Sequence, residues 1–327
     1  MRVLVGLATT LVVALAGLYA FSPRIPPPLR PATLPVAGML LTDITRTEAG
    51  LVAAGEQGHL LLSTDQGVSW QRADLDVQRH ALITRLIFTE DESLGLAIGH
   101  EGWILRSTDG GRHWREVAFD PEGSEPLLDL ARLPSGDWLA VGAFGQVRRS
   151  RDDGLSWQAE PAPDGTDWHL NAIAGSQGGG HWMIVGEAGT VLRSRDGGRH
   201  WEALPEFYDG SLYGISHLGG GAWVAYGMRG NLFVTRDHGQ RWRPVALDAP
   251  LSLHAHQRLA DGTLVIGGQG GVLIATSDRG ATFQVLRQAG NATLTGLQLT
   301  PSGDGWFTTD VGLRRLALDA PDETGAS

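Results

Sequence analysis

Ser107-Thr108-Asp109-Gly110-Gly111-Arg112-His113-Trp114 is one of six related stretches in the chain. Close copies are Ser63-Thr64-Asp65-Gln66-Gly67-Val68-Ser69-Trp70, Ser150-Arg151-Asp152-Asp153-Gly154-Leu155-Ser156-Trp157 and Ser194-Arg195-Asp196-Gly197-Gly198-Arg199-His200-Trp201. Looser copies are Thr235-Arg236-Asp237-His238-Gly239-Gln240-Arg241-Trp242 and Thr276-Ser277-Asp278-Arg279-Gly280-Ala281-Thr282-Phe283. The shared pattern is Ser/Thr-x-Asp-x-Gly-x-x-aromatic, with Asp at 65, 109, 152, 196, 237 and 278. The resulting steps of 44, 43, 44, 41 and 41 residues mark a repeat architecture rather than a single conventional core.

Each residue type in the pattern has a physical task. Ser/Thr and Asp side chains accept hydrogen bonds from nearby backbone N–H groups and so close a turn. Gly permits positive φ at a sharp reversal, and the aromatic buries a large area beneath it. The pattern resembles the Asp box of the bacterial neuraminidase repeat, a hairpin turn joining the two outer strands of a propeller blade. That resemblance implies structural roles for Asp65, Asp109, Asp152, Asp196, Asp237 and Asp278, since function lives in sites grafted on a fold.

Upstream of each turn the unit can be read backwards. Eight residues before each Ser/Thr stands a Gly (55, 99, 142, 186, 227, 268), and five residues before it another (58, 102, 145, 189, 230, 271). A Gly-x-x-Gly between two apolar runs is a hairpin signal. With a further run upstream, such as Leu127-Leu128-Asp129-Leu130, each unit becomes four short strands: inner, second, third and outer. A seventh unit near residues 293–318 has three strands and no Asp turn, so residues 30–37 are expected to supply its missing outer strand and protect the open edge. The expected fold is all-β, a seven-bladed propeller with six Asp-box blades, preceded by an N-terminal apolar helix.

At 327 residues the repeat indicates one closed array, at residues 38–318. Residues 3–21 form an uncharged apolar run, long enough to span a bilayer, so residues 1–22 read as a membrane anchor or a signal peptide. Either reading exports the remainder, to the periplasmic side of the inner membrane or into the periplasm. Residues 23–37, with Pro23, Pro26, Pro27 and Pro28, read as an extended stalk ending in the closing strand, and 319–327 as a disordered tail. Cys is absent, so no disulfide framework exists. A net charge of −10 argues against nucleic acid, whose binding rests on clustered Lys and Arg.

Topology places the Asp turns on one face of the disc and the Gly-x-x-Gly turns on the other. The second face also carries the connections between blades and the starts of the inner strands, so it is the candidate binding face. Its inner strands offer Asp43, Arg85, Asp129, Asn171, Tyr213 and His254, and its tight turns offer His100, Glu101, Phe144 and Arg229, with Trp168 and His169 among the connections. This mixture of acidic, aromatic and His residues suits a protein or glycan partner of a monomeric propeller.

Catalytic patterns are thin: there is no His-Glu-x-x-His, Gly-x-Ser-x-Gly or phosphate loop. No cofactor or metal is assigned; His254 and His256 point to one side of a strand, but zinc wants three or four ligands. The alternative function is a glycan-processing hydrolase of the neuraminidase superfamily, in which Asp43 and Asp129 approach across the channel as paired carboxylates.

The Asp turns, the Leu-x-x-Ile inner strands at 41–44, 170–173 and 212–215, and the coupled Val-Gly-x-x-Gly turns together resemble the photosystem II stability/assembly factor-like family. The resemblance covers residues 30–318. It implies a non-enzymatic propeller that binds a protein partner during assembly of membrane complexes, and in non-photosynthetic members an association with transporters of the resistance-nodulation-division type. No dense Arg cluster matches the basic patch of photosynthetic members, which points to a non-photosynthetic member.

Overall fold

The structure is a computed structural model that describes residues 5–6, 11–17, 34–247, 250–288, 290–300 and 303–317. It divides into two units, Met1–Ala32 and Thr33–Ser327. In the first, residues 5–6 and 11–17 are helical, and no helix among the described residues is long and apolar enough to cross a membrane. The rest of the apolar run, the stalk up to residue 33 and the tail lie outside the described residues.

The second unit is a seven-bladed β-propeller. Blade 1 sets the plan: inner strand Leu41–Thr47, then Gly50–Gly55, Leu60–Ser63 and outer strand Gln71–Arg72, each paired antiparallel with the last. The second strands are apolar on both sides, as in Leu51-Val52-Ala53-Ala54, because each blade is covered by a neighbour on both faces. Leu51 and Ala53 pack towards blade 7, while Val52 and Ala54 pack towards blade 2. The buried side chains accordingly form seven clusters, each shared by two consecutive blades. Trp138 and Trp223, fully buried, fill two of these interfaces.

Every inner strand carries a register shift between its first and third residues, from Leu41/Asp43 in blade 1 to Leu294/Gly296 in blade 7. Such a bulge leaves the second residue outside the ladder and free to re-aim its side chain. Thr42 Oγ1 then donates to Ile83 O at 2.7 Å, Thr84 Oγ1 to Leu127 O at 2.6 Å and Asn171 Nδ2 to Leu212 O at 2.8 Å, each in the following blade. Thr295 Oγ1 donates to Leu41 O, so the same bond crosses from blade 7 to blade 1 and closes the ring.

The repeat turns share one geometry. In blade 1, Ser63 Oγ accepts the Gly67 N–H at 2.7 Å and donates to Asp65 Oδ1 at 2.8 Å, while Asp65 Oδ1 accepts the Ser69 N–H at 2.9 Å. The equivalent bonds recur through Asp278, where Thr276 Oγ1 accepts from Gly280 at 3.0 Å. Gly67 is required twice over: its φ is +89°, and a Cβ there would lie 2.3 Å from the Trp306 ring of blade 7.

Two features depart from the expected plan. Blade 2 has five strands, because Asp74–Leu75 from the preceding connection pairs parallel with outer strand His113–Ala118. Blade 7 has three strands among the described residues, Leu294–Leu299, Asp304–Thr309 and Gly312–Ala317. Residues 34–37 of the expected closing strand pack beside it without forming a ladder; residues 30–33 lie outside the described residues. The Gly38 N–H donates to Val311 O at 3.0 Å, and Leu34 and Val36 pack with Leu313 and Trp306 on the blade 1 interface. Apolar packing, rather than strand pairing, covers that part of the edge.

The repeat-turn carboxylates make folding acid-sensitive. The Ser69 hydroxyl and N–H hold Asp65 down to about 2, the Ser156 hydroxyl and N–H do the same for Asp152, and the Thr282 N–H and hydroxyl for Asp278. Unfolded, these groups return to about 3.9 and bind protons more readily, so their stabilisation is present above about pH 4 and lost as pH falls towards 2. The thermal midpoint should drop through that window. An Asp65→Asn, Asp152→Asn, Asp278→Asn triple variant keeps one acceptor oxygen in each turn but removes the titration, so its acid limb should be flatter; an unchanged limb would refute this assignment.

Candidate functional site

The bulge sorts the six inner-strand residues into two layers. Asn171, Tyr213 and His254 occupy the second position, and Asp43, Arg85 and Asp129 the third. Sequence reasoning grouped all six at one mouth, because a register shift is not visible in the alternation of side chains.

In the third-position layer, Arg85 of blade 2 stands between carboxylates of blades 1 and 3. Its Nη1 is 3.5 Å from Asp43 Oδ2 and its Nε 3.1 Å from Asp129 Oδ1. Asp43 also accepts the Ile44 and Leu86 N–H groups, and Asp129 those of Leu130 and Ile173, all at 2.9–3.0 Å. Each carboxylate thus binds its own strand and the next blade. Burial pushes both carboxyls up from the usual aspartate range, against the pull of Arg85 and the backbone donors. The Asp43 charge in turn raises the Arg85 guanidinium. Beside them, His256 Nδ1 pairs with the Tyr226 hydroxyl at 2.6 Å, and burial with the Arg85 charge lowers His256 to about 4, keeping it neutral.

These groups are reached from the face opposite the expected one. A cavity of about 1010 Å³ touches Arg85, Asp129 and His256 and opens between the inner-strand hairpins at Glu90–Asp91, Pro134–Gly136 and Gln177–Gly179, on the repeat-turn side. No residue pattern signals this cavity, since its shape depends on how far the blades splay.

Nearer the tight turns, Tyr213 and His254 stack with ring centroids 5.2 Å apart. His254 and His256 therefore go to different partners, and among the described residues no group of three or more His, Cys, Asp and Glu could hold a metal. Glu101, Phe144 and Arg229 occupy the left-handed apex of their turns, with φ of 58°, 50° and 54°. His100 precedes Glu101 and is half-buried, which lowers its pKa. Phe144 is exposed and meets His169 edge-on at 4.5 Å.

Sequence reasoning also missed a set of arginines that tie blades together. Arg106 Nε donates to Asp153 O at 2.9 Å, Arg149 Nη2 to Gly198 O at 3.3 Å and Arg193 Nη1 to His238 O at 2.6 Å, each carbonyl lying in the next repeat turn. All three stand immediately before the Ser of their own turn, a signal readable once the repeat is aligned.

The comparisons with known proteins fit this architecture. The family model for photosynthesis system II assembly factor YCF48 matches residues 107–312, more than half of the chain. The chain belongs to the YCF48 family. No curated protein matches the sequence. A solved structure described as YCF48 bound to D1 peptide superposes with a TM-score of 0.67 at 17% identity, over 88% of this chain and 94% of that one. YCF48 from Cyanidioschyzon merolae gives 0.65 at 18% identity, over 86% and 95%. An ancestral GH74 enzyme gives 0.68 at 15% identity, over 86% of this chain and 45% of its own. At these identities the structural likenesses establish the fold alone.

Within this YCF48-family propeller the Asp43–Arg85–Asp129 cluster is a tie between three blades. Removing Arg85 leaves two buried carboxylates facing one another. Arg85→Ala should therefore cost about 2 kcal/mol, below the range of about 3–5 kcal/mol for breaking a fully buried pair because the side chain is partly exposed. Adding Asp43→Asn and Asp129→Asn should recover part of that loss. Chemical denaturation of the set tests the tie; an Arg85→Ala midpoint equal to wild type would disprove it.

Proposed function

We propose that this chain is a non-catalytic protein-binding scaffold that serves the assembly or function of a membrane complex. The observation that carries this reading is the commitment of Asp43 and Asp129. These are the residues that a glycosidase reading needs as its acid and nucleophile or base. Both oxygens of each accept backbone N–H groups, and the pair shares one guanidinium, so they serve as inter-blade ties. A relative in the family has been solved with a peptide bound, which supports a protein as the ligand.

The six repeat turns act in this reading as structural Asp boxes. Binding uses the tight-turn face, with His100, Glu101, Phe144, Asn171, Tyr213, Arg229 and His254 as its polar and aromatic surface. The apolar N-terminal run exports the propeller and keeps it at or near the periplasmic side of the inner membrane. A resistance-nodulation-division type transporter is the partner class proposed, and the propeller works as a monomer.

Affinity capture with the full chain from detergent-solubilised membranes, read by mass spectrometry, should recover one inner-membrane complex reproducibly. Sialosides and related glycosides should stay intact in the presence of the purified protein. Hydrolysis that disappears in Asp43→Asn or Asp129→Asn would overturn the scaffold reading.

A further inference from the structure

We infer that Phe144 and Trp168 form a docking patch for a basic, extended segment of the partner, whose Lys or Arg side chain lies against the two rings. This rests on the scaffold reading above and adds the chemistry of what is bound. Phe144 is 62% and Trp168 51% exposed, and every other Phe, Tyr and Trp among the described residues is more covered. Large aromatics left in water at a protein surface commonly mark an interaction site.

The backbone brings the two residues together. The Gly145 N–H donates to Trp168 O at 2.9 Å, which fixes the connection from blade 3 to blade 4 against the tight turn that carries Phe144. Nothing in that turn requires an aromatic. The equivalent apex residues are Gln57, Glu101, Ala188, Arg229 and Gly270, all left-handed like Phe144. Ala188 shows that a methyl group satisfies the same backbone, so the turn conformation does not depend on the ring of Phe144.

Charge selects the occupant. Asp164 and Asp167 are exposed in the same connection, and Glu187 lies 3.3 Å from His169, the ring that meets Phe144. Arg148, on the strand that follows the Phe144 turn, is already engaged, with Nη2 2.8 Å from Ser124 Oγ and 4.0 Å from Asp120 Oδ2. Aromatic faces attract a Lys or Arg cation, and flanking carboxylates add to that attraction. The net charge of −10 further favours encounter with a basic segment.

The test uses the full chain in detergent at physiological salt, with a fluorescent peptide of alternating Lys and Gly and a control of alternating Glu and Gly. Anisotropy should show binding of the Lys peptide and none of the Glu peptide. A Phe144→Ala, Trp168→Ala double variant should weaken it by at least about tenfold with an unchanged melting temperature. Asp164→Ser with Asp167→Ser should weaken it and flatten its salt dependence. Failure of the wild-type chain to bind the Lys peptide, or equal binding by the double variant, overturns the patch. Membrane capture with the same proteins separates the two readings. A complex still held at full yield by the double variant removes the patch and leaves the scaffold standing. Peptide binding lost in the double variant, with no complex captured by the wild-type chain, supports the patch chemistry and overturns the scaffold.

Discussion

Closure of the ring is the constraint on which the rest of this structure depends. A blade of four short strands has two apolar faces and cannot cover either alone, so each second strand is buried only when two neighbours are present. An open array would leave an apolar face at each end. Closure therefore requires the junction of blades 7 and 1 to match the six others. It does so with the bulge-borne bond that three other junctions also carry, here Thr295 to Leu41, and with added contacts: Trp306 Nε1 donates to Gln66 O at 3.1 Å and stands edge-on to Trp70 at 6.2 Å. These contacts seat the repeat turn of blade 1 on the second strand of blade 7.

Polar ties at the interfaces do what apolar packing cannot, which is to fix register. Packing between flat, alternating surfaces tolerates sliding, since Leu, Val and Ala side chains interdigitate in more than one way. A Thr42 hydroxyl aimed at one carbonyl, or an Asp43 carboxylate aimed at the Leu86 N–H, accepts a single alignment. The Asp43–Arg85–Asp129 cluster extends that alignment over three blades. Its buried charges carry a desolvation cost that an apolar trio would avoid, so its value lies in specifying the arrangement more than in raising stability.

Fold and site were unequally legible in the sequence. The repeat turn was readable because its tasks are local: the Ser or Thr, Asp and Gly that close it lie within five residues, and no other part of the chain can alter that chemistry. Six blades and their strand order followed from its spacing, and the seventh from three further strand runs at 293–318. The fifth strand of blade 2 was hidden because Asp74–Leu75 is two residues long and pairs with a strand almost forty positions away. The channel residues were half legible. Their positions on inner strands were correct, but the bulge after Leu41 and its counterparts rearranged which side chains meet. Arg85, read as one of the channel-mouth binding residues, also ties blades together, since its two partners come from different blades.

The division of labour between faces follows from the same construction. On the repeat-turn side the polar groups are consumed locally: hydroxyls and carboxylates satisfy backbone N–H groups, and Arg106, Arg149 and Arg193 are spent on carbonyls of the next blade. On the tight-turn side the apex residue of the hairpins in blades 1 to 6 takes a left-handed conformation whatever its side chain. Gln, Glu, Phe, Ala, Arg and Gly all occupy it within this one chain. The backbone of this turn therefore does not dictate which side chain stands at its apex. Phe144 is accordingly an aromatic that the turn itself does not require.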